Sequence, residues 1–469
     1  MARALVQLFP MQMAMLGLFE FIASFLLIFA MLTAGAPASL LESTNLPHDC
    51  LILAAMLAVT IAATAATIGV YRPEICLDRR RFLLSGVTAA LLAFPAVLLV
   101  SGAYRMTLSG DHVIWLARLL VVWLLFMLLV RYGFGALTLR VPMTRRILIV
   151  GEGNRAALLH RRLASKRHAL FEVITPRTMP SAPVTPAGKG ETGKGEGRGG
   201  ALSLQSLREQ RIWGVVVVQG EAEPEIQAAL LDSKLRGVPV YSDISFHETH
   251  LGRIEPTSVD AQWLLCAEGF RAGRVAEAVK RLGDIAVSLT LMIMTLPLML
   301  ITALLIKLDS PGPLLYRQER TGLHGKPFTL LKFRSMTADA EAAGKPQWAQ
   351  KRDPRVTRVG AFIRASRIDE LPQLLNVLHG EMSMIGPRPE RPVFVEQLAE
   401  AIPLYNHRAC VRPGLTGWAQ VNFPYGASIE DAREKLAYDL YYVKNRGMLL
   451  DMVILLSTVR VILFREGAR

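Results

Sequence analysis

Residues 280–313 read KRLGDIAVSLTLMIMTLPLMLITALLIKLDSPGP, and their reading decides which compartment holds everything that follows. The apolar run 285–306 has the length of a membrane span, because a helix rising about 1.5 Å per residue needs roughly 20 apolar residues to cross the hydrocarbon. Yet Pro297 stands at its centre, and Lys280 and Arg281 before the run are answered by Lys307, Arg317 and Arg320 after it. A proline removes one helix hydrogen bond and kinks the chain. Cations at both ends predict a segment that returns to the side it entered, a re-entrant helix over 279–308 bent at Pro297.

Composition agrees with a membrane protein. Of 469 residues 52% are hydrophobic, and 53 Lys and Arg against 39 Asp and Glu leave a net charge of +14. Such an excess suits an anionic partner. The cations sit in loops beside apolar segments rather than along one polar helix, so membrane topology accounts for much of the excess and nucleic acid is not expected as a partner. The four cysteines, Cys50, Cys76, Cys266 and Cys410, form no CxxC pair and suggest neither a zinc site nor a disulfide framework.

Four apolar runs, 13–33, 50–70, 82–103 and 112–130, have transmembrane length and predict a four-span helical bundle over 1–140. The first is read as an uncleaved span, being longer than a signal-peptide core. The first connection carries no Lys or Arg, the next holds Arg72, Arg79, Arg80 and Arg81, and Arg140, Arg145 and Arg146 follow the fourth run. The positive-inside rule then puts the N-terminus and everything after the fourth span in the cytoplasm. Glu20 and Arg118 fall within the runs towards opposite surfaces, which predicts snorkelling rather than a mutual pair.

Next comes ILIVGEGNRAALLHRRL, 147–163: a short apolar strand, a glycine turn and a helix, the opening of a Rossmann-like α/β domain over 141–250. WGVVVV (213–218) reads as a buried strand, 227–236 as a helix and 238–241 as another strand. The tract SAPVTPAGKGETGKGEGRGG, 181–200, cannot bury a core and reads as a disordered insertion. Gly151, Gly153 and Ala156 match GxGxxA, but any close βα turn uses the same residues. No acidic residue ends the second strand, FEVITPRT, so NAD is not supported.

A connector (251–273) leads to a last domain over 274–469, mainly α with the re-entrant helix. In SRIDELPQLLNVLH, 366–379, Asp369 suits a helix N-cap, Glu370 and Pro372 the first turn, and Leu371, Leu374, Leu375 and Leu378 an apolar face. An aspartate there is held ionised by free amides and the helix dipole. In Gly386-Pro387-Arg388-Pro389 the prolines stiffen the backbone around Arg388, which reads either as a rigid turn or as a preorganised phosphate fork. His324, His379 and His407 have no ligand spacing. The stretch 449–464, interrupted by Asp451 and Arg460, reads as an interfacial or packing helix.

VKRLGD (279–284), LDSPGPLLYRQERTG (308–322), FTLLKFRSMTADAE (328–341), RIDELPQLLNVLHGEMSMIGPRPERP (367–392) and VRPGLTGWAQVN (411–422) resemble, in order, the motifs of the bacterial sugar transferase family. These are monotopic polyprenyl-phosphate hexose-1-phosphate transferases that start exopolysaccharide and O-antigen assembly. The resemblance covers about 272–469, and the front portion matches the layout of the large exopolysaccharide-type members. It implies that Asp369 attacks the sugar-bearing phosphate of a UDP-hexose, expels UMP and passes the sugar phosphate to undecaprenyl phosphate. It also implies that Glu370 binds Mg2+ and that Lys332, Arg364, Arg388 and Arg412 bind substrate, with Arg334 and Arg367 as further contributors or lipid contacts. Trp418 reads as core or interface anchor. The implied location is the cytoplasmic face of the bacterial inner membrane, among membrane lipids. One departure stands out: Leu296 precedes Pro297 where many members carry serine, which leaves the kink to Thr295 or to packing. The hexose stays open. So does the α/β domain's role, whether nucleotide sensing, support of a homo-oligomer or spacing. Two rival functions are an idle scaffold, opposed by the intact Asp369-Glu370 pair, and an oxidoreductase using Gly151 and Gly153.

Overall fold

A computed structural model describes residues 11–35, 48–68, 79–103, 110–138, 145–164, 171–175, 204–218, 224–259, 261–270, 273–337, 355–423, 426 and 428–463. The tract 181–200 lies outside them. The chain divides into two compact units, one holding Val6–Leu251 and the other Gly252–Arg469.

In the first unit the apolar runs are helices α1 (Met11–Gly35), α2 (His48–Ile68), α3 (Arg79–Ala103) and α4 (Gly110–Thr138). Each helix packs on the next and α4 returns to α1, around a core that includes Ile28, Leu57, Ile61, Ala93, Leu119 and Met127. Lipid-length apolar surface remains outward on all four, as at Leu91, Leu99 and Leu129. Glu20 does not snorkel. It accepts from Arg131 Nε at 2.6 Å and Nη2 at 2.8 Å, and both side chains are buried. Arg131 lies one residue past the predicted fourth run, and α4 continues helical beyond it, which brings the guanidinium to α1.

The same unit holds β1 (Arg145–Val150), α5 (Asn154–Leu163), β2 (Phe171–Ile174), α6 (Leu204–Glu209), β3 (Ile212–Val217), α7 (Pro224–Leu235), β4 (Val240–Ser242) and α8 (Asp243–Leu251). The strands form one parallel sheet in the order β2-β1-β3-β4. Both faces are covered, which is why the strands read as continuous apolar runs. Leu148, Val150 and Val215 pack with Ile226 and Leu230 on one side; Ile147, Ile149 and Val216 pack with Leu159, Leu163 and Phe246 on the other.

The second unit opens with α9 (Ala261–Cys266) and α10 (Arg274–Asp309), a 36-residue helix that carries Pro297 inside it. Five helices of the described chain, α1–α4 and α10, are long and apolar enough to cross a membrane. Then follow β5 (Leu315–Thr321), β6 (Pro327–Phe333), α11 (Arg358–Ala365), a 3-10 turn at Ile368–Glu370, α12 (Gln373–His379), β7 (Ser383–Ile385), α13 (Pro392–Ala401), a 3-10 stretch at Tyr405–Cys410, β8 (Gly414–Thr416), α14 (Trp418–Asn422), α15 (Ile429–Asn445) and α16 (Met448–Leu463). β5 and β6 are an antiparallel hairpin, and β7 pairs with β8 in parallel.

Both halves of α10 dock on this unit. In the first half Arg281 donates to the carbonyls of Val377 (2.6 Å) and Leu378 (2.9 Å), and Ser288 Oγ donates to Leu374 O at 3.0 Å. In the second half Ile306 packs with Phe333 and Ile363. From Ser288 to Ile306 is about 27 Å of helix at 1.5 Å per residue. The Thr295 hydroxyl bonds Leu291 O at 2.7 Å, so it does not serve the Ile293 carbonyl that Pro297 leaves without an amide partner. Between the anchors Ile293, Met294, Leu300, Ile301 and Leu304 are exposed.

α16 packs as expected for its interrupted sequence. Asp451 accepts from Lys280 and from Tyr442, both at 2.8–2.9 Å, while Leu450, Ile454 and Arg460 are buried. Trp418 is core: it is 6% exposed and donates to Gly252 O at 2.7 Å.

Candidate active site

The hairpin β5–β6 presents Lys332 near the end of β6, where its Nζ lies 3.1 Å from Glu370 Oε1. The same oxygen receives Arg388 Nη2 at 2.9 Å and has Arg367 Nη1 at 3.6 Å. Arg367 takes a left-handed backbone conformation (φ 60°) directly after α11, and this turns the chain into the 3-10 turn that carries both carboxylates. α11 itself is fixed at its start by Thr357, whose Oγ1 accepts from Gly360 N.

Asp369 is therefore not a helix N-cap. Pro372 occupies that position of α12, and Asp369 sits three residues earlier, buried in the 3-10 turn. The two neighbouring carboxyls consequently diverge. Burial pushes Asp369 above the ordinary carboxylate range; Lys332 opposes the rise, and the charge on Glu370 adds to it. Burial would raise Glu370 as well, but Lys332, Arg388 and Arg367 outweigh it and hold that carboxyl far below its usual value. Lys332 is itself pushed down by burial, with Glu370 resisting.

Asp369, Lys332 and Arg364 line a cavity of about 940 Å³, together with Arg334, Arg355, Glu390, Tyr405, Arg408 and Lys435. Leu314, Leu315, Phe394 and Leu398 supply apolar wall. The Arg364 side chain makes no hydrogen bond or ion pair with another described residue. Arg334 instead donates to Ser310 O (2.6 Å) and Ser310 Oγ (2.9 Å), which ties β6 to the end of α10.

The Arg388 loop owes its shape to backbone packing. Gly386 N donates to Thr416 O and Gly414 N to Pro387 O, both at 2.9 Å. A Cβ on Gly386 or on Gly414 would collide with the other strand's backbone, which explains the glycines of IGPRP and VRPGLTG. Arg412 is not brought to this cluster. Its Nε donates to Gly380 O at 3.0 Å, and with Arg281 it satisfies the last carbonyls of α12, lining a separate, smaller cavity of about 290 Å³.

Thus the structure joins Asp369, Glu370, Lys332, Arg364 and Arg388 and leaves Arg412 and Pro297 elsewhere. Arg408, Tyr405 and Lys435 were missed by sequence reasoning. They carry no local signature, since the cavity gathers them from 3-10 and helical segments 36 to 66 residues after Asp369.

No group of three His, Cys, Asp or Glu side chains suited to a metal occurs among the described residues. Magnesium does not need one. It accepts one or two carboxylates and completes its shell with phosphate oxygens and water, so an ionised Glu370 beside Asp369 fits a cation that arrives with a diphosphate.

The family model described as Bacterial sugar transferase matches residues 275–465. A UDP-N-acetylgalactosamine-undecaprenyl-phosphate N-acetylgalactosaminephosphotransferase of Aeromonas hydrophila is 45% identical over 235 residues, 50% of this chain and 55% of that protein. The chain thus spans about half that relative's length. A UDP-glucose:undecaprenyl-phosphate glucose-1-phosphate transferase of Caulobacter vibrioides is 42% identical over 225 residues, 46% of this chain and 84% of that one. Similarity to an undecaprenyl-phosphate glucose phosphotransferase of Komagataeibacter xylinus extends further forward, at 32% identity over 368 residues, 75% of this chain and 66% of the relative.

Proposed function

The chain belongs to the bacterial sugar transferase family, and from that premise we propose that it transfers hexose 1-phosphate from a UDP-sugar to undecaprenyl phosphate and releases UMP. One observation carries the reading: Asp369 faces the large cavity beside Lys332 and Arg364, while the adjacent Glu370 gathers Lys332, Arg367 and Arg388. Four cations against two carboxylates make a site for a diphosphate.

In the first step a carboxylate oxygen of Asp369 attacks the phosphorus that bears the sugar. The bond from that phosphorus to the bridging oxygen breaks, and UMP leaves with the electron pair. In the second step an oxygen of polyprenyl phosphate attacks the aspartyl-linked phosphorus, and the Asp369 carboxylate is regenerated. Lys332, Arg364 and Arg388 offset the charge that otherwise repels a carboxylate nucleophile. Arg388 reaches the substrate by exchanging Glu370 for phosphate. Glu370 would hold magnesium, which would supply further neutralisation of the diphosphate.

Topology is read with the same premise. α1–α4 are the four spans, the parallel sheet is a Rossmann-like domain, and α10 is a re-entrant anchor that keeps the catalytic domain at the cytoplasmic face of a bacterial inner membrane. Support comes from α10 docking on one unit on both sides of Pro297, across a distance shorter than the roughly 30 Å hydrocarbon core. The reaction is then the initiating step of exopolysaccharide or O-antigen assembly.

The relatives are named for N-acetylgalactosamine and for glucose, so the donor is sought among these and galactose. Purified protein with magnesium, polyprenyl phosphate and each UDP-sugar in turn should release UMP from at least one. Absence of UMP with every sugar, or full activity in Asp369→Asn, contradicts the proposal.

A further inference from the structure

The Gly386–Glu390 loop is gripped at successive carbonyls by groups from outside it. Arg408 Nη2 donates to Arg388 O at 2.9 Å, Arg320 Nη1 donates to Pro389 O at 3.0 Å, and Thr321 N donates to Glu390 O at 2.9 Å. Of these, Arg408 is the most deeply anchored. Its Nη1 donates to Tyr405 Oη at 2.7 Å, and its Nη2 lies 2.8 Å from Asp439 Oδ2. Arg408 is 12% exposed at its side chain and Asp439 2%. Asp439 belongs to the most buried stretch of α15, beside Tyr438, Leu440, Tyr441 and Tyr442.

We propose that Arg408 is a positioning residue, which transmits the rigidity of α15 through Asp439 to the Arg388–Pro389 peptide and so fixes where the Arg388 guanidinium meets phosphate. The inference rests on the proposed reaction, in which Arg388 binds the donor's diphosphate. Pro387 and Pro389 restrict the torsions flanking Arg388 but leave the orientation of the whole loop free. A guanidinium is suited to the task because it donates to Tyr405 and Arg388 from a fixed plane while its charge lies against Asp439. The fold has also placed a costly buried carboxylate opposite it, whose ionised form is stable only while the guanidinium stays. A lysine preserves the charge and cannot reach Tyr405, Arg388 and Asp439 together.

The test is a double-mutant cycle on full-length protein, measuring UMP release from the active UDP-sugar with polyprenyl phosphate. Arg408→Lys should lower kcat/KM roughly tenfold to hundredfold, the scale of an ångström-sized misplacement. In an Arg388→Ala background the same change should cost less than about twofold, because the group it positions is gone. A purely structural role, or direct contact of Arg408 with substrate in the cavity, predicts instead the same loss in both backgrounds. That result overturns the proposal. Tyr405→Phe, which removes one acceptor without changing shape, decides the matter should Arg408→Lys fail to fold: roughly fivefold loss is expected alone and none beside Arg388→Ala. Equal losses in both backgrounds again refute it. Wild-type protein that releases no UMP overturns the reaction and the clamp together, whereas an active wild type with additive losses overturns the clamp alone.

Discussion

A glycine turn lines a cavity in the first unit, whereas in the second a glycine loop sets Arg388 on Glu370, next to the cavity that Asp369 lines, and of these two places the second has converging charge. At the Gly151–Gly153 turn of the first unit a cavity of about 720 Å³ is lined by Glu152, His160, Arg161 and Thr175, with both glycines at positive φ. At the Gly386–Arg388 loop of the second unit, backbone shape is joined by Lys332, Arg367 and Arg388 around Glu370 and by Asp369 facing open space. Glycines permit a backbone to come close. Chemistry needs side chains brought there from several elements, and that separates the two sites.

The largest expected effect falls on the proposed nucleophile. Asp369→Asn should reduce UMP release by about a thousandfold or more, a loss expected when a covalent nucleophile is removed, as measured by initial rates. The Gly153→Ala variant should stay within about twofold of wild type in the same assay. Equal sensitivity of the two sites would dissolve the contrast between them.

Next comes a split in stability between adjacent residues. Glu370 is depressed in the folded state, so it stabilises the fold above its unfolded pKa and loses that contribution as pH falls through the folded value. Asp369 is raised, so ionising it costs stability as pH rises from the unfolded towards the folded value. At neutral pH Glu370→Gln should therefore lower stability by about 2–4 kcal/mol, as expected when one partner of a buried pair is removed. Asp369→Asn should leave the protein as stable as wild type or raise its Tm. Thermal unfolding reads both, and a fall of similar size in the two variants would contradict the assignment of their charge states.

The pH profile follows from the same direction. In the proposed reaction Asp369 attacks as a carboxylate; as burial raises its pKa, kcat/KM should begin to fall at a pH above the ordinary aspartate range as the solution is acidified. An acid limb at or below the usual value would show that bound cations override burial. The smallest effect is expected for Gly153→Ala on stability, a loss of about 1 kcal/mol from its positive φ.

Sequence alone carried the long-range plan well where local physics dominates. Hydropathy found the four N-terminal helices and the long helix through Pro297, and short continuous apolar runs, the first closed by a glycine turn, found the parallel strands, because each is decided by residues within a few turns of one another. It failed where partners are distant. Arg131 falls just past an apolar run, so nothing local pairs it with Glu20, 111 residues earlier. The motif around Asp369 suggested an ionised N-cap, whereas the left-handed turn at Arg367 buries the carboxyl ahead of α12. Arg412 matched a substrate position by motif, and in the structure its Nε donates to Gly380 O at the end of α12, away from the Asp369 cluster.

The most direct test of the account mixes the protein with labelled UDP-sugar and magnesium and omits the lipid acceptor. If Asp369 forms a covalent sugar phosphate, about one UMP per active site should appear in a burst, with the label retained on protein and lost in Asp369→Asn. Release of UMP only after polyprenyl phosphate is added, with no label held by the protein, would contradict the covalent mechanism.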